Sequence, residues 1–210
     1  MRHQPRQERA RQRVDAILQA AEYLLLRADT SDLNTNMIAE LAQVPVGSVY
    51  QYFSDKDQVV IALLERFRDD IVRHYQQQGT MPLVDALVTP MFTYGGQHFG
   101  TSRVLMTPPA NPVVLEAVQR VRGDIQQEWA ALIRLHLPRL PEDQVLLAAD
   151  ISLTAASSLI VHGSRAKQTA SSEAEMALAE STATRIIKQV YPLLNGYFAQ
   201  ISAQHQSSPE

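Results

Sequence analysis

The side chains of this chain that could do chemistry are spaced for recognition rather than for turnover. The six histidines have neither metal-ligand spacing nor a paired acid, so no metal site is expected. No Gly-x-Ser-x-Gly elbow, phosphate-cradling glycine loop or His-Glu-x-x-His pair occurs; neither an enzymatic activity nor a cofactor is expected. Cysteine is absent, which removes disulfides, thiol nucleophiles and thiolate ligands and fits a reducing compartment. What remains is a run of hydrogen-bonding groups, Ser48, Tyr50, Gln51 and Tyr52, behind the bare Gly47, with Lys56 shortly after it. A glutamine amide can pair with an adenine edge, and hydroxyl and ammonium groups can hold phosphate oxygens. Further basic groups, Arg2, Arg6, Arg9, Arg11 and Arg13, crowd the first stretch; composition alone reads them equally well as a solvated tail. The net charge of −3 argues against indiscriminate DNA coating, so any nucleic-acid contact is local.

Such groups recognise a partner only if rigid elements present them, and the hydrophobic periodicity is helical almost throughout. From Val14, the apolar positions Ile17, Leu18, Ala21, Leu24 and Leu25 fall on one helical face. Residues 27–32 break that pattern with turn formers. Asn34 is a good N-cap for a short helix carrying Met37, Ile38, Leu41 and Ala42 as its apolar stripe. Pro45 can open a second short helix, because the first helical amides have no intrahelical acceptor. Val49, Tyr50 and Phe53 are candidates for its buried side, and Ser54 to Asp57 reads as the capping pattern of a longer helix with Val59, Leu63, Leu64, Phe67 and Ile71 inward. Residues 82–99 read as a helix kinked at Pro90, followed by a loop bracketed by Pro108, Pro109 and Pro112. Long helices are expected over about 113–137, 142–166 and 173–202. No apolar run approaches the roughly 20 residues of a membrane span, and the arginine-rich start lacks the apolar block of a signal peptide, so a cytoplasmic location is expected.

Two short helices joined by a tight connection and flanked by longer amphipathic ones meet the requirement for a helix-turn-helix. The wording is specific. Ala16-Ile17-Leu18-Gln19-Ala20-Ala21-Glu22-Tyr23-Leu24-Leu25, Ile38-Ala39-Glu40-Leu41-Ala42, Val44-Pro45-Val46-Gly47-Ser48-Val49-Tyr50-Gln51-Tyr52-Phe53 and Asp55-Lys56-Asp57 together resemble the N-terminal domain of the TetR family. The resemblance covers about 45 residues, and beyond them it extends only to length and helical layout. It implies an all-α fold of about nine helices: an N-terminal arm and three-helix helix-turn-helix domain over 1–56, and a helical ligand-binding and dimerisation domain over 57–210.

The resemblance also implies roles. Thr35 or Asn36, Val46, Gly47, Ser48, Tyr50, Gln51, Tyr52 and Lys56 stand where the family contacts DNA, with Arg9 and Arg11 of the basic arm as additional contacts. Each has a plainer reading: Gly47 could serve close helix packing, Tyr50 could be core, and Asn34 to Asn36 could serve capping alone. The sequence departs from the family at four places. Asp29 and Gln43 stand where glycine is usual, Pro45 where serine is usual, and Val46 where lysine is frequent. Glutamine in a left-handed turn would be strained, and Val46 exchanges a phosphate contact for a possible thymine-methyl contact.

In the second domain, the small and apolar residues Ala148, Ser152, Ala155, Ala156, Leu159, Ile186, Ile187, Val190, Leu194 and Tyr197 either line the chain's own core or, as the resemblance implies, form a four-helix dimer interface. Phe92, Tyr94, His98, Phe99, Met106, Trp129 and His162 are candidates for an apolar effector pocket with a few polar anchors, each being also a plausible core residue. The reading is a ligand-responsive transcriptional regulator, most simply a repressor, that binds palindromic operator DNA as a homodimer and is released by a small apolar or aromatic effector. The alternative is a helical protein-interaction module with a degenerate helix-turn-helix.

Overall fold

The computed structural model describes residues 4–107, 109–169 and 172–206; the side chains of residues 4–6, 160–169, 173–176, 178–180, 182–183, 186–187 and 206 are not described. Arg2, Pro108 and the side chains of Arg6, His162, Ile186 and Ile187 therefore lie outside the described residues. Among the described residues there are nine helices and no strand: α1 (Gln4–Leu25), α2 (Thr35–Leu41), α3 (Val46–Tyr52), α4 (Lys56–Gln76), α5 (Leu83–Gln97), α6 (Phe99–Met106), α7 (Pro112–His136), α8 (Glu142–Thr169) and α9 (Glu173–Gln206). None of them is long and apolar enough to cross a membrane.

The helices gather into two compact units, Met1–Asp69 with His98–Val121 and Asp70–Gln97 with Arg122–Glu210. In the first unit, Ile17, Leu18, Ala21 and Leu25 of α1 are buried, as are Ile38 and Ala39 of α2, Val49 of α3, and Val59, Leu63, Leu64 and Phe67 of α4. The expected stripe of α2 differs: Met37 and Leu41 are exposed, and Ile38 with Ala39 turns inward. Seven residues make only two turns, too few for a wide apolar face. Helix α1 also begins earlier than its apolar pattern, so the basic residues from Arg6 onward belong to a helix rather than a coil.

α6 occupies a stretch, between the helix expected over 82–99 and the proline-bracketed loop, for which the spacing predicts no element. Its sequence carries Gly100, Thr101 and Ser102, residues with low helix propensity, but α6 packs on α1 and buries Val104 and Leu105. In the second unit, α8 packs along α9, and α5 also meets α9. Ala148, Ala149, Ser152 and Ala156 of α8 and Val190, Leu194 and Phe198 of α9 are buried there. The buried Ser152 hydroxyl donates to the Ala148 carbonyl one turn earlier, at 2.5 Å, so its polarity is satisfied within the helix.

Candidate nucleic-acid interface

The two short helices are held at a defined angle by their caps and turn. Asn34 takes an extended conformation, and its side-chain oxygen accepts a hydrogen bond from the Met37 amide at 3.0 Å, as its N-cap role requires. At the other end of α2, the Gln43 amide donates to Glu40 O at 3.1 Å and the Val44 amide to Ala39 O at 3.0 Å. This paired arrangement is the Schellman closure, whose C′ residue must enter the left-handed region. Gln43 does so with φ of 54°, while no positive φ occurs at Asp29. The two departures from glycine thus differ in consequence. Asp29 sits in a small turn in which the Asp32 amide donates to its carbonyl and its own amide donates to Asp32 Oδ2, whereas Gln43 bears the backbone strain of its place.

Pro45 is the N-cap of α3 rather than its first helical residue, with φ of −58° and no side-chain capping bond. Val49 is wholly buried against the unit's core, and this orients the rest of the helix. Val46, Gly47, Tyr50 and Gln51 are exposed, while Ser48, Tyr52 and Phe53 are half-buried. The exposed four are one turn apart in pairs and share one face of α3. A Cβ built on Gly47 would meet nothing within 4 Å, so close helix packing does not explain this glycine. Tyr50 is 55% exposed, not core. Its hydroxyl shares a 2.9 Å hydrogen bond with the Thr35 hydroxyl, tying α3 to the start of α2. Thr35 is itself buried, which leaves Asn36 as the exposed member of that pair.

The α4 start is capped by Asp55, whose carboxylate accepts from the Gln58 amide at 2.9 Å; Ser54, expected in that role, donates instead to Asp55. The Lys56 ammonium donates to Thr30 O and Ser31 O, both at 2.8 Å, and so ties α4 to the loop after α1. Arg9 and Arg11 are exposed on α1.

Sequence reasoning missed a second set of ties, from α6 to α1. The Thr101 amide and hydroxyl both donate to the Glu22 carboxylate, which places a negative charge at the α6 N-terminal turn. Arg103 donates to Leu25 O at 3.0 Å and to Ala28 O, and pairs with Asp29 at 3.3 Å. The first of these bonds takes up the Leu25 carbonyl, which the end of α1 leaves without a helical partner, and the second reaches the turn that follows. Between these ties lies an open cleft of about 550 Å³ lined by Asp29, Lys56, Asp57, Arg103 and Asn111 among others. The only available signal was an arginine and a threonine amid a glycine-rich stretch, with nothing in spacing to name their acceptors.

The expected effector residues divide between the units. Phe92, Tyr94 and Trp129 belong to the second; Tyr94 donates to Asp70 at 2.8 Å and Trp129 is wholly buried. His98, Phe99 and Met106 belong to the first, where His98 meets Phe67 edge-on. Of the residues expected to face a second copy, Ala148, Ser152, Ala156, Val190 and Leu194 are already buried within the single chain, and Ala155, Leu159 and Tyr197 are half-buried. Small side chains there let α9 approach α8. Leu147 and Ile151, one turn apart on α8, and Leu193 on α9 are instead exposed by 48%, 42% and 50%.

The sequence profile of the bacterial regulatory proteins of the tetR family matches residues 17–63, and that of the tetracyclin repressor-like C-terminal domain matches residues 82–187. No curated protein matches the chain. Solved structures of like fold include a transcriptional regulator of the TerR/AcrR family from Aquifex aeolicus VF5, at 12% identity and a TM-score of 0.66, covering 86% of this chain and 99% of that one. SmeT of Stenotrophomonas maltophilia, in its complex with triclosan, is 17% identical with a TM-score of 0.63, covering 86% and 90%. FadR from Bacillus subtilis, in complex with stearoyl-CoA, is 14% identical with a TM-score of 0.61, covering 84% and 96%.

Proposed function

Because this chain belongs to the tetR family of bacterial regulatory proteins, we propose that it is a ligand-responsive transcriptional repressor that binds palindromic operator DNA as a homodimer and releases it when a small apolar or aromatic effector binds. The observation that carries this reading is the outward face of α3, where Val46, Gly47, Tyr50 and Gln51 stand exposed on a helix anchored by the buried Val49. Gln51 is the base reader, by its amide, and Val46 offers a methyl contact to thymine. Asn36, Ser48, Tyr52, Lys56, Arg9 and Arg11 supply phosphate contacts that set register. Residues 1–56 carry recognition, and 57–210 carry the effector and dimer functions.

Dimerisation through α8 and α9 is supported by the exposed apolar side chains Leu147 and Ile151, one turn apart on α8, and Leu193 on α9. A two-fold pair then presents two α3 helices to successive major grooves about 34 Å apart. The effector class is supported by the fold relatives, one solved with triclosan and one with stearoyl-CoA, and by the aromatic residues Phe92, Tyr94 and Trp129 of the second unit.

A mobility-shift assay on the DNA upstream of the gene tests the reading. A salt-sensitive, sequence-preferring complex is expected, and Gln51→Ala should weaken it by about 1–3 kcal/mol while relaxing preference at one base position. Absence of any such complex, together with indifference to Gln51→Ala, would favour the protein-interaction alternative.

A further inference from the structure

Thr35 opens α2, but the capping of that helix is done by its neighbour, since the Asn34 side-chain oxygen accepts from the Met37 amide. The Thr35 hydroxyl is left for another partner. Because the residue is buried, that partner must come from the protein, an unpaired buried hydroxyl being costly. It is the Tyr50 hydroxyl, at 2.9 Å. Valine would fill nearly the same space as Thr35 with no hydroxyl to satisfy, so the contact and not the volume is what threonine adds. Tyr50 has the opposite setting: it is 55% exposed and shares the outward face of α3 with Val46, Gly47 and Gln51. An exposed tyrosine on such a face is ordinarily free to turn about its side-chain bonds. Here its tip is held by a buried group on another helix, 15 residues away in the chain.

We propose that Thr35 is a positioning residue for operator binding: its hydroxyl donates to the Tyr50 oxygen, so that the Tyr50 hydroxyl hydrogen is directed outward to a DNA phosphate. This inference rests on the operator-binding reading given above and adds to it a residue that itself touches no DNA. The direction of the chain follows from what each group can give. A phosphate oxygen of the DNA backbone only accepts, and a tyrosine hydroxyl has one hydrogen together with acceptor lone pairs. Once Tyr50 gives its hydrogen to phosphate, it can only accept from Thr35, whose hydroxyl is able to donate. Hydrogen bonds in such a chain strengthen one another, and a side chain already held in its docking pose loses less freedom on binding. The exposed Asn36 follows Thr35 at the start of α2, so the same tie fixes the separation between two groups that this reading turns to phosphate.

The experiment measures the affinity of the full-length protein, by fluorescence anisotropy, for the duplex that footprinting defines in the upstream DNA. The parent is compared with Thr35→Val, Thr35→Ser, Tyr50→Phe and the variant carrying both Thr35→Val and Tyr50→Phe, with Thr35→Ala in place of Thr35→Val if valine disturbs the fold. Thr35→Val is expected to weaken binding about tenfold, as two copies each lose a bond that contributes a factor of a few. Thr35→Ser returns the hydroxyl and should bring affinity back to within about twofold of the parent. In the Tyr50→Phe background, Thr35→Val should add no further loss. Replacing single phosphates in turn by methylphosphonate gives a readout that a merely structural role would not move: one phosphate whose replacement weakens the parent should make no difference to Thr35→Val or to Tyr50→Phe. Parent-like affinity of Thr35→Val, additive losses in the double variant, or a methylphosphonate profile unchanged by either substitution overturns the proposal and leaves the bond a brace between α2 and α3, with the regulator reading intact. Failure of the parent to form any sequence-preferring complex removes that reading and this inference together.

Discussion

Gln43 concentrates the conflict between local preference and fold. Its φ of 54° costs an L-residue roughly 1–2 kcal/mol, yet the Val44 and Gln43 amides need that conformation to close α2. Gln43→Gly is expected to stabilise the protein by about 1 kcal/mol, raising the thermal midpoint by about 2–4 °C; an unchanged or lower midpoint in calorimetry would show that no strain is stored there. The resemblance to the family disclosed this strain, since glycine is usual where Gln43 stands. It did not disclose that Tyr50 is tethered to Thr35. Fifteen residues separate them, and the pairing exists only because α2 and α3 cross.

Among the elements, α6 was the least legible. Gly100 weighs against a helix by propensity, but in the fold it is required: a Cβ there would collide with the Glu22 backbone oxygen and press within 2.9 Å of its carboxylate. Gly100→Ala should therefore push α6 off α1 and destabilise the protein by about 1–3 kcal/mol, read from urea unfolding. Gly47→Ala, with open space around it, should leave stability within about 1 kcal/mol. Equal effects of the two would mean that the α1 to α6 contact is loose. By contrast, α4 was legible in full. Val59, Leu63, Leu64, Phe67 and Ile71 repeat at helical spacing over more than three turns and all are buried, because a long helix must bury whatever face its period defines.

At the scale of the whole molecule, the exposed Leu147 and Ile151 set the expected assembly. Replacing both by glutamate should convert a dimer to a monomer in analytical ultracentrifugation and lower operator affinity by about 100-fold, since each half-site then binds alone. A doubly substituted protein that stays dimeric would move the interface elsewhere. Spacing could not choose whether the small residues of α8 line the chain's own core or a face between copies, because which side of α8 meets α9 depends on α9.

Sequence by itself determined the helical architecture and the location of the helix-turn-helix, because hydrophobic period, caps and turn residues act over a few neighbours at a time. Only the tertiary structure decided that Val49 anchors α3 so that Gln51 faces outward, that α6 holds the end of α1 through Glu22 and Arg103, and that the Tyr75 and Trp129 rings meet edge to face. Those depend on contacts between residues far apart in the chain, and local pattern carries no record of which distant side chain completes a hydrogen bond or fills a space.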